Sequence, residues 1–280
     1  MGTPPDLLKQ QNRVELRQLI PQSIKSFYHR TNWFFRNYNK LGKFTQLRST
    51  HYHGPVTYDT DGLTTSNNCD FIKEPRFAKA YAAAAATNPW PDFTLQWRVY
   101  IVCWFADHVK GLQGDFVECG VNTGAYSRAV VDYIDFNRLG KKFYLLDTFE
   151  GLVASQISEE EKELGINNYL SSYRNVYEEV KLTFAPFENV ELIKGRVPDT
   201  LAKCKAEKLA YLSIDMNVVE PEIAAAHYFW DKLVKGGVLI LDDYGFPQHI
   251  SQKKAFDEFA KQKKQSILSL PTAQGIIIKS

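Results

Sequence analysis

The stretch DFVECGVNTG, residues 115–124, decides the reading of this chain. Asp115 to Cys119 is a short, mostly apolar run that predicts a buried strand, and it stops at a glycine. Gly120 and Gly124 let the backbone turn sharply and pass close to a ligand. A turn at the carboxyl end of the first strand is where open α/β sheets bind ligands. A dinucleotide site asks for G-x-G-x-x-G, whose backbone N–H groups receive a pyrophosphate. Here the spacing is G-x-x-x-G, with Glu118 two residues before the first glycine. A carboxylate at that place repels phosphate and favours a cation.

Outward from this loop, strand and helix alternate. Residues 122–136 predict a helix and KFYLLD, 142–147, a strand. Helical pieces around Gly165 follow over 159–180, then the strand VELIK, 190–194, and the strand LAYLSID, 209–215. A helix over 221–235, the strand GVLILD at 237–242 and a helix over 252–264 come next. The chain closes on strands 267–270 and 275–279, separated only by Pro271 to Gln274, which is a hairpin connection. Continuous apolar strands alternating with helices predict a parallel sheet covered on both faces. Upstream, helices are expected over 77–86, which is rich in alanine and ends at Asn88-Pro89, and over 93–110. Residues 51–75, with DTDGLTTSNNCD, have the composition of a loop, either a lid or a linker. Residues 1–50 mix basic and aromatic residues and predict irregular helix. The expected organisation is an N-terminal extension and possible lid over 1–92 and an α/β domain over 93–280.

The second strand ends at Asp147, roughly 20 to 30 residues after the first glycines, where an acid receives ribose hydroxyls; the alternative is a cap on the next turn. S-adenosylmethionine carries an ammonium and a sulfonium, which suits Glu118. The expected cofactor positions are Glu118, Gly120, Asn122, Gly124 and Ser127 around the first loop. Asp147, Thr148 and Phe149 join them after the second strand, and Gly195, Arg196 and Val197 after the third.

Asp215 ends the fourth parallel strand, and Asp242 and Asp243 end the fifth. Adjacent parallel strands finish side by side, so three carboxylates meet at one rim. Like charges so close call for a cation, and an oxygen-only donor set suits a hard ion such as Mg2+. An ion there would orient a substrate hydroxyl and lower its pKa.

The 280 residues carry 34 basic and 32 acidic side chains, a net charge of +2. That balance provides no field for nucleic acid or an anionic membrane surface. The four cysteines form no CxxC pair, which argues against zinc. No apolar run reaches the roughly 20 residues of a membrane span, and MGTPPDLLKQQNR has no apolar signal core, so a reducing, cytoplasmic setting is expected.

GDFVECGVNTG at 114–124, LLDTFEGL at 145–152, KGRVPDTL at 194–201, LVKGGVLILDDYG at 233–245 and QGIIIK at 274–279 occur in order. Together they resemble the TylF/MycF family, the macrocin O-methyltransferases, over about residues 93–280. The resemblance implies a Rossmann-like class I methyltransferase fold, a seven-stranded, mostly parallel sheet with an antiparallel C-terminal hairpin. It also implies S-adenosylmethionine and Mg2+ as cofactors, a cofactor site at Glu118, Gly120, Tyr126, Ser127 and Asp147, a sugar hydroxyl or related small-molecule acceptor, metal ligands Asp215, Asp242 and Asp243, and a homo-oligomer. Family members often carry D-x-D-x-Y after the fourth strand, with the second acid a candidate base. Here the run is Asp215-Met-Asn217, and an amide takes no proton at neutral pH. That leaves His249, or Asp215 with the metal, as the catalytic candidates. Two other readings stay open: a catalytically altered binding or scaffolding protein, and a nicotinamide-dependent oxidoreductase.

Overall fold

The computed structural model describes residues 56–280. The helix expected over 1–50 and the first residues of the 51–75 segment lie outside the described residues. The elements in chain order are β1 (Tyr58–Thr60), β2 (Leu63–Thr65), α1 (Pro75–Ala85), α2 (Gln96–Val109), β3 (Asp115–Cys119) and α3 (Ala125–Tyr133). Then follow β4 (Phe143–Asp147), α4 (Glu159–Glu163), α5 (Tyr177–Phe184), β5 (Val190–Lys194), β6 (Leu209–Ile214) and α6 (Val219–Trp230). The chain ends with β7 (Leu233–Leu241), α7 (Ile250–Gln262), β8 (Leu268–Ser269) and β9 (Gly275–Ile278).

Seven strands form one sheet in the order β5-β4-β3-β6-β7-β9-β8. The first five run parallel, and β9 is antiparallel to both β7 and β8. The chain order reverses between β3 and β6, and a crevice opens at the carboxyl ends of strands at such a switch point. Successive side chains of a strand face opposite sides. Phe116 accordingly packs with Val99, Val102 and Ala129 of α2 and α3, while Val117 and Cys119 pack with Phe229 of α6 and Phe256 of α7. β6 is buried along its whole length, which suits its sequence LAYLSI, apolar but for Ser213 and the Tyr211 hydroxyl.

Phe77 and Ala84 of α1 belong to the same core as α2 and α3, although α1 lies before the expected boundary at residue 92. Pro75 opens α1, and the Glu74 side chain accepts from the N–H groups of Arg76 (3.0 Å) and Phe77 (2.7 Å). Proline at the first helical position and a capping carboxylate both suit a helix start.

Two expectations are corrected. The described part of the 51–75 loop contains the β1–β2 hairpin, with Asp61 and Gly62 both at positive φ, 53° and 74°. An Asp-Gly turn with two left-handed residues matches the twist of a two-residue hairpin. The helix expected over 221–235 ends at Trp230, and Leu233 to Lys235 already belong to β7. Leu233 pairs with Leu209, whereas Val238 pairs with Tyr211, so β7 carries extra residues around Gly236 and Gly237. Pairing with β6 across this irregularity overrides the local helical pattern.

Candidate active site

A cleft opens over the carboxyl ends of β3, β4, β6 and β7. Gly120 forms its floor with φ 88°, and a Cβ there would fall 1.7 Å from the Asp215 carbonyl oxygen. Only glycine lets the β3 and β6 termini come this close. Gly124, φ 85°, starts α3, and a Cβ on it would meet the Phe184 ring at 2.6 Å.

Asp147 pins the first loop. Its Oδ2 accepts from the backbone N–H of Val121 (2.5 Å) and Asn122 (2.8 Å), and its Oδ1 from that of Phe149 (2.6 Å) and from the Thr148 hydroxyl (3.2 Å). Glu118 lies deeper, 2% exposed, and its Oε2 has no partner. Burial pushes its carboxyl well above the usual range; Asp242 and Asp147 add like charge, and a backbone hydrogen bond from Ser127 opposes them.

The acids of β6 and β7 converge as the sheet order requires. Asp215, Asp242 and Asp243 each bring one carboxylate oxygen within 4.8 Å of the others. Asp242 is the most constrained. Gln274 donates to its Oδ1 (3.0 Å), while Tyr126 (3.3 Å) and the Arg98 guanidinium donate to its Oδ2. Arg98 also donates to the Asp242 carbonyl (2.9 Å) and to Asp243 Oδ1 (3.1 Å). Burial, then the Asp242 and Asp243 charges, hold the Asp215 carboxyl well above its ordinary range, with Arg98 opposing. Burial also raises Asp242, against the pull of Arg98.

Of the sequence-expected positions, Glu118, Gly120, Asn122, Tyr126, Asp147, Thr148, Phe149, Gly195, Val197, Asp215, Asp242 and Asp243 line the cleft. Gly124, Ser127, Arg196 and His249 do not. Gly124 provides room for Phe184, and Ser127 is fully buried, with its backbone N–H donating to Glu118. Arg196 is exposed and bonds Asp199, 2.9 Å from Nε and 2.8 Å from Nη2, because the turn after β5 carries them outward. His249 is buried behind Asp243, with Nε2 3.8 Å from Asp243 Oδ2 and its ring stacked on Tyr169. Asn217, φ 61°, lines the cleft, and its amide donates toward Asp215 Oδ1 at 3.3 Å.

Four residues escaped the sequence reading. Arg98 carried a signal, a basic residue in the first turn of a largely apolar helix. Asp61 sits in a recognisable Asp-Gly turn, and burial pushes its carboxyl up to about 6 beside Arg98, which pulls it back. Glu222 is buried under the 215–217 loop and accepts from the Met216 N–H (2.8 Å). Gln274 precedes β9 and reaches Asp242 only because β9 returns beside β7.

A family model described as Macrocin-O-methyltransferase (TylF) matches residues 102–269. The 8-demethyl-8-(2,3-dimethoxy-alpha-L-rhamnosyl)-tetracenomycin-C 4'-O-methyltransferase of Streptomyces olivaceus is 27% identical over 143 residues, 48% of this chain and 54% of that protein. The match therefore spans about half the length of that curated relative. Among solved structures, the O-methyltransferase NovP superposes with TM-score 0.57 at 22% identity, covering 65% of this chain and 79% of that one. The calicheamicin methyltransferase CalS11 superposes with TM-score 0.52 at 14% identity, covering 73% and 93%. At such identities these two likenesses establish the fold.

Proposed function

The chain belongs to the macrocin O-methyltransferase (TylF) family, and from that premise we propose that it is an S-adenosylmethionine-dependent O-methyltransferase. Its acceptor is a hydroxyl of a sugar or a related polar small molecule. The observation that carries this reading is one cleft holding both a buried, unpartnered carboxylate oxygen on Glu118 and the three-acid rim. The first fits a cationic donor molecule, and the second fits a hydroxyl to be activated.

The residues fit the methyl donor. Glu118 Oε2 is free to accept from an ammonium, and Gly120 leaves backbone room for close approach. Asp147 holds the loop by Val121 and Asn122 and lines the cleft; it is assigned to the ribose diol, whose hydroxyl would take the place of the Thr148 hydroxyl at 3.2 Å. The sulfonium supplies the methyl group for an in-line displacement. Holding donor and acceptor in line provides much of the rate in such a transfer.

The donor set of Asp215, Asp242 and Asp243 also fits Mg2+, which would supply Lewis-acid activation of the acceptor hydroxyl there. Gln274, Tyr126 and Arg98 keep the Asp242 carboxylate in one orientation. Asp215 is the group assigned to face the acceptor proton, because it lines the cleft and His249 does not. Asn217 orients Asp215 by its amide. Pro89, Trp90, Phe93 and Leu95 are apolar lining residues of the same cleft and are assigned to the acceptor ring.

The test is calorimetric titration with S-adenosylhomocysteine and with NAD, followed by turnover of labelled S-adenosylmethionine with a p-nitrophenyl α-L-rhamnoside probe. Binding of the first ligand alone, with label entering the glycoside, is expected. Binding of NAD, or failure of S-adenosylhomocysteine to bind, sinks the reading. Cofactor binding without transfer to any sugar hydroxyl would favour the scaffolding alternative. The homo-oligomer and cytoplasmic setting belong to the same proposal; light scattering of the purified protein tests the first. No described helix is long and apolar enough to cross a membrane.

A further inference from the structure

Arg98 stands where the acid rim meets the β1–β2 hairpin. On one side its Nη2 serves Asp242 and Asp243; on the other its Nη1 lies 3.8 Å from Asp61 Oδ1. The guanidinium also lies over the Phe246 ring, 5.1 Å from its centroid. The hairpin that carries Asp61 is tied down beside it. Thr60 Oγ1 and Thr94 Oγ1 are 2.9 Å apart, and the Gly62 turn sits against the edge of Phe246. Asp61 is therefore a third carboxylate beside Arg98, facing Nη1 where the rim acids take Nη2.

Asp242 and Asp243 are two of the three carboxylates assigned to a divalent cation under the proposed function, and the role of Arg98 rests on that assignment. A guanidinium and a divalent cation repel each other and compete for the same oxygens. Arg98 is 7% exposed and its Nε–H has no partner, so its hydrogen bonding is not saturated where it stands. We propose that Arg98 is an internal competitor of the metal. It pairs with Asp242 and Asp243 and offsets one of their two charges, and it yields them to a divalent cation by shifting its charge onto Asp61. Arg98 and Asp61 are positioning residues, and they set how tightly the rim holds a metal.

The proposal makes two variants move in opposite directions, which loss of structure does not do. Mn2+ is titrated calorimetrically into the whole protein, into Arg98→Gln and into Asp61→Asn. Arg98→Gln removes the competitor and is expected to bind Mn2+ about tenfold tighter than wild type. Asp61→Asn removes the alternative partner and is expected to bind about tenfold more weakly. Asn tolerates the left-handed backbone at this position, φ 53°. S-adenosylhomocysteine titration of the same samples reports whether each variant keeps its fold. Weaker Mn2+ binding by a folded Arg98→Gln overturns the proposal and leaves Arg98 as a support of the rim. If Arg98→Gln does not fold, Asp61→Asn decides alone, and unchanged or tighter Mn2+ binding there overturns it. If no sample binds Mn2+ while all bind S-adenosylhomocysteine, the metal assignment itself falls and takes this inference with it.

Discussion

The two halves of the cleft are built by different means. At the tips of β3 and β4, backbone N–H groups and glycines do the work: Asp147 holds Val121 and Asn122, only 26 and 25 positions away. At the tips of β6 and β7, side-chain charges do it: Arg98 reaches Asp242 across 144 positions and Gln274 reaches it across 32. The first half is a local turn with a rigid shape. The second is a balance of buried like charges against one guanidinium, and such a balance shifts when any single charge is added or removed.

Gly120→Ala is expected to have the largest effect, because that position joins the halves. The new Cβ collides with the Asp215 carbonyl, and the backbone is held at φ 88°. A loss of about 3 kcal/mol or more is expected from strain and overpacking, together with loss of S-adenosylhomocysteine binding. Denaturant unfolding and calorimetry measure both. Near-normal stability would mean the two strand ends are not in contact.

Glu118→Gln strikes the β3–β4 half alone. It is expected to weaken S-adenosylhomocysteine binding about tenfold to a hundredfold at alkaline pH and less at acid pH. The sign comes from the raised pKa of Glu118: the carboxyl is protonated at low pH and offers its charge to an ammonium only as pH rises. Without ligand the sign reverses. The folded state then binds the proton more tightly than the unfolded chain, so this group favours folding at low pH. Its contribution fades as pH climbs above the ordinary carboxylate value of about 4. Unfolding free energies at pH 5 and pH 8 for both proteins check this, and parallel pH profiles would discard it.

Trp90→Ala tests the wall assigned to the acceptor under the proposed function. Trp90 is 45% exposed and set edge-on to Phe93, 5.1 Å between ring centroids. Loss of its stacking face is expected to raise KM for the rhamnoside probe about tenfold while leaving S-adenosylhomocysteine affinity unchanged. A change in cofactor affinity instead would put Trp90 in the other half. Arg196→Ala is the smallest expected effect, within about 0.5 kcal/mol of stability and without effect on either ligand, since its Asp199 pairing is solvent-exposed. A clear loss of cofactor binding would return Arg196 to the cleft.

Legibility in the sequence divides along the same line. The strand DFVEC, the glycine loop and the acids ending β4, β6 and β7 were readable because each rests on local periodicity or on a turn that only certain residues permit. The β1–β2 hairpin was also legible in principle, from Asp61-Gly62, but polar composition masked it. The early start of β7 was not, since Leu233 pairs with Leu209 by tertiary register while its own neighbours suit a helix equally well.

By itself, then, the chain determined an alternating α/β order, a tight turn over Gly120 and carboxylates at the strand ends, because backbone sterics and side-chain period act between near neighbours. Only the tertiary structure decided that Arg98 and Asp61 meet Asp242 and Asp243, that Gln274 arrives beside them, and that Arg196, Ser127 and His249 stand outside the cleft. Those meetings depend on which strands lie side by side, and charges separated by more than a hundred residues are brought into contact only by the folded sheet.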